Sequence, residues 1–167
     1  MGGKMRARDL ISKKFVRVGN GHSAGELLGV FFDQQSWTLR ELVVVVLDAD
    51  GKFSGLVEPR DILCGLGTEL TAAGEDAAAL LAAIGRGLQL TAGEVARRDI
   101  PAARPDDALV DLLCLAARCE ASALPVFDGK ELLGVVPVAR IFEAICRLAL
   151  SEGGAELPFM DARKADG

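Results

Sequence analysis

The groups able to do acid–base or nucleophilic work are few: one histidine, four cysteines and some closely spaced carboxylates. His22 sits in the turn Gly19-Asn20-Gly21-His22-Ser23. No neighbour in sequence completes a triad with it, and a lone histidine cannot make a histidine-rich metal site. Asp48 with Asp50 and Asp106 with Asp107 are explained by turn and helix-cap chemistry. Cys64, Cys114, Cys119 and Cys146 show no C-x-x-C spacing, so buried free thiols in a reducing compartment are expected rather than a zinc site or a disulfide frame. Gly19-x-Gly21 follows a strand and precedes a helix, but the next glycine is Gly25, out of register for a dinucleotide loop. Catalysis is therefore not expected. Two helix starts remain, Glu58-Pro59-Arg60-Asp61 and Pro137-Val138-Ala139-Arg140.

The elements that position them repeat. Leu42–Leu47 is a continuous apolar run rich in β-branched residues, the pattern of a strand buried on both faces. Asp48-Ala49-Asp50-Gly51 supplies a turn, and Lys52–Val57 returns as a second strand. Pro59, which lacks an N–H, suits the first turn of the following helix, and Asp61 brings a carboxylate to its positive end. Ala123–Phe127, Asp128-Gly129 and Glu131–Val136 repeat the hairpin, and Pro137 is expected to open the next helix, Val138–Leu150.

In this hairpin-plus-helix pattern the chain resembles a tandem pair of cystathionine-β-synthase (CBS) domains. LVVVVLDADGKFSGLVEPRD carries the resemblance in the first copy and SALPVFDGKELLGVVPVAR in the second. It extends over about Met5–Cys64 and Thr91–Leu148. The resemblance implies an α+β fold of two β-α-β-β-α repeats about a pseudo-twofold axis. The expected division is 5–67 for the first repeat, 68–91 for a helical insertion, 92–150 for the second repeat and 151–167 for a flexible tail.

Around those hairpins, Arg6–Ser12 reads as a lead-in and Phe15–Val18 as a first strand. Ser23 with Glu26 forms a capping box for a helix through Phe32. Gln34–Glu41 leads into the hairpin, and the helix after it is expected to end near Gly65-Leu66-Gly67. Within the insertion, Glu75–Ile84 is a helix stopped by Gly85 and Gly87. In the second repeat Ile100–Ala103 is a strand or extended segment, and Pro105-Asp106-Asp107 starts the helix Ala108–Cys119.

The resemblance also implies regulation by an adenosine-containing ligand such as AMP, ADP or ATP, held in a cleft between the repeats. Asp61 matches the family's ribose-binding aspartate, Arg60 stands beside it, and Glu58 replaces a hydroxyl residue near the phosphates. Contacts from the other repeat fall on Ile100, Pro101, Ala102, Ser122 and Ala123. In the second motif Pro137 and Arg140 stand where the hydroxyl residue and the aspartate belong. Asp61 can accept hydrogen bonds from ribose hydroxyls whereas Arg140 only donates, so at most one ligand per chain is expected, in the first cleft, with less-phosphorylated forms preferred. The alternative is a dimerisation or interaction module whose ligand sites have decayed.

Composition agrees with a folded domain. Half of the 167 residues are hydrophobic, enough for a core, and the longest apolar runs are too short to cross a bilayer. Met1–Asn20 lacks a signal-peptide pattern, so a cytoplasmic protein is expected. The net charge of −5 argues against a general nucleic-acid binder, and the N-terminal cluster Lys4, Arg6, Arg8, Lys13, Lys14 and Arg17 reads as a solvated or phosphate-facing edge. Apolar faces at Leu63-Cys64 and at Ile141, Ile145 and Leu148 suggest a homodimer. The partner under regulation is not specified.

Overall fold

The computed structural model describes residues 4–33 and 42–153. The expected lead-in Gln34–Glu41 and the tail beyond Gly153 lie outside the described residues. The element order is α1 (Ala7–Leu10), β1 (Phe15–Gly19), α2 (Ala24–Asp33), β2 (Val43–Leu47), β3 (Phe53–Val57), α3 (Pro59–Ala73), α4 (Ala77–Gly87), α5 (Ala92–Val95), α6 (Leu109–Arg118), β4 (Ala123–Asp128), β5 (Glu131–Pro137) and α7 (Val138–Gly153). It is an α+β fold.

In the first sheet β1 runs parallel to β2, and β2 pairs antiparallel with β3. The second sheet is the β4–β5 hairpin. Gly51 (φ 74°) and Gly129 (φ 60°) turn the two hairpins, the left-handed conformation that only glycine adopts without strain. Both hairpins shift register just before the turn, at Val46/Leu47 and at Val126/Phe127.

The expected first strand of the second repeat is reduced to one parallel bridge, Ala103 to Val126. Ala103 N–H donates to the Pro125 carbonyl at 2.9 Å, and Phe127 N–H donates to that of Ala103 at 3.0 Å. Pro101 and Pro105 on either side have no N–H to continue the ladder. Phe15–Gly19 has no proline and pairs along its whole length with Val43–Leu47.

Strand β2 is buried on both faces, as its apolar run implies. Val44 and Val46 face a helical core with Leu27, Phe31, Val57 and Ile62. Val43 and Val45 face the other sheet, packing with Leu56, Ala123 and Val135. Phe53 meets Phe127 edge to face across this seam, with centroids 5.2 Å apart. Leu112, Leu124, Val126, Val136 and Ile141 form the core of the second half.

The two short helices cross over. Ala7 and Leu10 of α1 pack in the core of the second half, while Ala92 of α5 packs in that of the first. Ala7 N–H donates to the Asp107 carbonyl at 2.9 Å, and Ala92 N–H to that of His22 at 2.6 Å. Each half is thus completed by a helix from the other part of the sequence.

Several boundaries differ from expectation, among them the end of α7, which runs to Gly153 rather than Leu150. α3 passes Gly65 and Gly67 and ends at Gly74 (φ 67°). α4 passes Gly85 and includes Gly87. Each glycine inside a helix costs about 1 kcal/mol relative to alanine, but here α3 and α4 pack on each other, with Gly87 buried against Leu66. Arg86 also pairs with Glu69 at 2.8 Å. Pro137 is the last residue of β5, opposite Ala123, and the helix begins one residue later.

Candidate functional site

The starts of α3 and α7 converge on a cavity of about 880 Å3 between the two halves. Glu58, Pro59 and Arg60 line it from the first half, and Pro137, Val138, Ala139 and Arg140 from the second. Ser12 and Lys14, before β1, and Glu120, Ala121 and Ser122, before β4, complete most of the wall. Lys14, Arg60 and Arg140 are balanced there by Glu58, Glu120 and Glu143. Two long helices present their N-termini to the space, where the helix dipole favours negative charge.

Of the residues nominated from sequence, the structure brings Glu58, Arg60 and Ser122 together on this wall. Glu58 is 7 % exposed, and its Oε1 accepts from the Ser122 N–H at 2.8 Å and from the Ser122 hydroxyl. The negative charge expected near a phosphate is thus held by the other half of the chain. Arg60 is exposed.

Asp61 does not line the cavity. It is buried behind Glu58, and both of its carboxylate oxygens are taken. Oδ2 accepts from the Glu58 N–H at 2.9 Å, capping the helix at its third residue. Oδ1 accepts from Arg97 Nη2 at 2.7 Å, an ion pair whose side chains are 15 % and 8 % exposed for Arg97 and Asp61. Burial works against the charge on Arg97. The hydrogen bond and charge of Asp61, then the charges of Glu58 and Glu120, outweigh it and hold its pKa above the ordinary arginine value.

Ile100 packs in the seam between the sheets, and Ala123 is fully buried there. Ala102 lines a different, more polar hollow with Arg8, Arg104 and Asp106, and half-buried Pro101 lines neither.

Sequence reasoning passed over Ser12 and Arg97, and met Lys14 only as part of the basic N-terminal edge. A signal for two of them was present: Ser12 and Arg97 each stand two residues beyond a four-residue helix, α1 or α5. Arg140, matched to the aspartate position, donates from Nη1 to the carbonyls of Leu10 and Ile11 at 3.2 and 3.1 Å. It holds the end of α1 where Asp61 holds Arg97.

The remaining reactive groups are accounted for locally. His22 Nδ1 lies 3.3 Å from Glu26, a partner that its turn setting did not suggest. Asp48 Oδ1 accepts from the N–H groups of Asp50 and Lys52, both at 2.9 Å, and Asp107 accepts from that of Arg104 at 2.8 Å. The expectation of buried thiols fails for Cys64 and Cys114, which are exposed on helices; Cys119 and Cys146 are partly buried. Burial pushes the Cys119 thiol up. Among the described residues no cluster of three or more histidine, cysteine or carboxylate side chains is placed to hold a metal ion. No helix among them is long and apolar enough to cross a membrane.

The family model of the CBS domain matches residues 92–147. The whole fold resembles a solved CBS domain pair/ACT domain protein from Thermotoga maritima, at 21 % identity and a TM-score of 0.57, covering 86 % of this chain and 98 % of that one. The chain folds as a tandem CBS pair.

A CBS-domain containing protein from Agrobacterium tumefaciens is similar at 21 % identity and a TM-score of 0.61, over 84 % of this chain and 92 % of its own. CBSX2, solved in complex with AMP, is similar at 18 % identity and a TM-score of 0.61, over 86 % and 97 %. None of the curated proteins compared with the chain matches it. In this CBS pair the cavity lies where the two repeats present their corresponding helix starts.

Proposed function

We propose that this CBS pair is a non-enzymatic regulatory protein that takes an adenosine-containing ligand, of the AMP, ADP or ATP kind, in the cavity between its repeats. The observation that carries the reading is the cavity itself. Its volume of about 880 Å3 falls within the span of small-molecule sites, and both long helices start on its wall. The AMP complex of the structurally similar CBSX2 supports the ligand class. Arg60 and Lys14, with the two helix N-termini, favour a phosphate, while Glu58, Glu120 and Glu143 oppose each added negative charge. AMP is therefore favoured over ATP. Ser122 and Glu58 offer hydroxyl and carboxylate partners, and Asp61 lies behind them.

Calorimetry and thermal shift with AMP, ADP and ATP test this. AMP at one hundred times its Kd should add about 2.7 kcal/mol to stability, and Arg60→Ala should weaken binding about tenfold through loss of a charge-assisted hydrogen bond. The reading fails if no adenosine compound shifts the melting temperature.

A second reading has an observation of its own. Glu58, Asp61 and Arg140 are all engaged within the chain, as in a module whose sites serve structure. Leu63 and Phe142, at matching places on α3 and α7, are 65 % and 69 % exposed. Ile141 and Ile145, counted from sequence towards a dimer face, instead pack in the second core. A homodimer through α3 and α7 fits either reading. Light scattering that reports a dimer, with no nucleotide response, would favour the interaction module.

A further inference from the structure

The two repeats hold one position in the same way and fill it differently. Ser12 and Arg97 each form an antiparallel bridge with the return strand of the repeat they cross to, Ser12 with Val135 and Arg97 with Leu56. Both bridges carry reciprocal backbone hydrogen bonds, at 2.7 and 3.2 Å for Ser12 and at 2.8 and 3.0 Å for Arg97. Both press against a glycine. A β-carbon on Gly134 would stand 2.8 Å from the Ser12 carbonyl oxygen, and one on Gly55 would stand 2.7 Å from that of Arg97. The backbones are equivalent, so what differs is the side chain each sends towards its helix start.

On the Ser12 side the chain is short. Its hydroxyl accepts from the Lys14 N–H at 3.1 Å, and the cavity opens beside it against Pro137 and Arg140. On the Arg97 side a guanidinium extends to Asp61, and neither residue lines the cavity. We infer that the residue at this bridge position decides which part of the space between the repeats is open: Ser12 leaves the part beside Pro137 and Arg140, the α7 cleft, free, and Arg97 fills the part over Asp61, the α3 cleft, as a tethered cation. This rests on the adenosine-ligand reading for the chemistry of the occupant. It adds that Asp61, despite its matching position, is not the carboxylate that receives the ligand in this chain.

The test exchanges the two side chains and counts bound AMP by calorimetry on the full chain. The wild type should bind one AMP per chain. Arg97→Ser should open the α3 cleft and raise this to two, or confer one site if the wild type binds none. Ser12→Arg should fill the α7 cleft and weaken wild-type binding more than tenfold. Arg97→Ser also strips Asp61 of its partner, so the double variant R97S/D61N serves as control: it should fold like the wild type without gaining the second site.

Arg97→Ser that folds and binds AMP with wild-type stoichiometry and affinity overturns the inference and leaves the adenosine reading standing. Absence of binding in the wild type with a gained site in Arg97→Ser does the reverse. Absence in both overturns both. If Arg97→Ser does not fold, Ser12→Arg decides, and unchanged AMP affinity in that folded variant overturns the inference.

Discussion

The starts of α3 and α7 occupy corresponding places after corresponding hairpins, yet one carries Asp61 and the other Arg140. Each is satisfied by the segment that crosses over from the other half. Asp61 takes the side chain of Arg97, and Arg140 takes the carbonyls of Leu10 and Ile11. The difference teaches that a matching motif residue is not by itself a free ligand group. The side chain two residues beyond the crossing helix determines whether the motif residue lines the cavity, as Arg140 does, or is buried on an internal partner away from it, as Asp61 is.

The strongest way to break this comparison is to remove the arginine on each side. Arg97→Ala leaves a buried carboxylate without its counter-ion, so a loss of about 3–5 kcal/mol is expected. Arg140→Ala gives up hydrogen bonds to two backbone carbonyls on a partly buried guanidinium, and about 1.5–3 kcal/mol is expected. Urea denaturation measures both. Equal losses would mean that the Asp61 pair is no more dependent on its partner than the α1 carbonyls are.

The glycines sharpen the equivalence of the two backbones. Gly55→Ala and Gly134→Ala would each drive a methyl into a carbonyl oxygen of the crossing segment. Losses of about 1–3 kcal/mol, similar to each other, are expected. A neutral Gly134→Ala beside a damaging Gly55→Ala, seen in thermal melts, would show that only the Arg97 bridge is tightly held.

The smallest contrast concerns the remaining helices. α2 has a reciprocal box, with Ser23 N–H on Glu26 at 2.7 Å and Glu26 N–H on the Ser23 hydroxyl at 3.1 Å. α6 has only Asp111 accepting from the Ala108 N–H, at 3.0 Å. Ser23→Ala should lose about 1 kcal/mol and Ala108→Ser should gain up to that amount. The backbone hydrogen bond from Ser23, helped by the charge and hydrogen bond of His22 and by the Ser23 hydroxyl, outweighs the opposing desolvation and holds the Glu26 carboxyl below its ordinary pKa. Its stabilising contribution is present above the ordinary glutamate pKa and is lost as pH falls through the lowered one. Glu26→Gln should therefore flatten the acid limb of the stability–pH curve, read by circular dichroism.

The sequence by itself determined both hairpins and their glycine turns, the double burial of β2 and the Ser23–Glu26 cap, while the family resemblance carried by the repeated motif implied that Glu58, Arg60 and Ser122 lie near one another. These follow from local rules: periodicity, turn chemistry and capping act within a few residues, and the repeated motif brings its partner with it. Helix lengths around Gly65, Gly67, Gly85 and Gly87 escaped those rules because packing of α3 on α4 overrides a local preference worth about 1 kcal/mol per glycine. The tertiary structure alone decided that α1 and α5 exchange halves, and with that the state of the site. Asp61 meets a partner 36 residues along the chain, and Arg140 meets one 130 residues back. No local pattern ranks such pairings, because what selects them is the burial of a charge, which must be neutralised by whichever group the fold delivers.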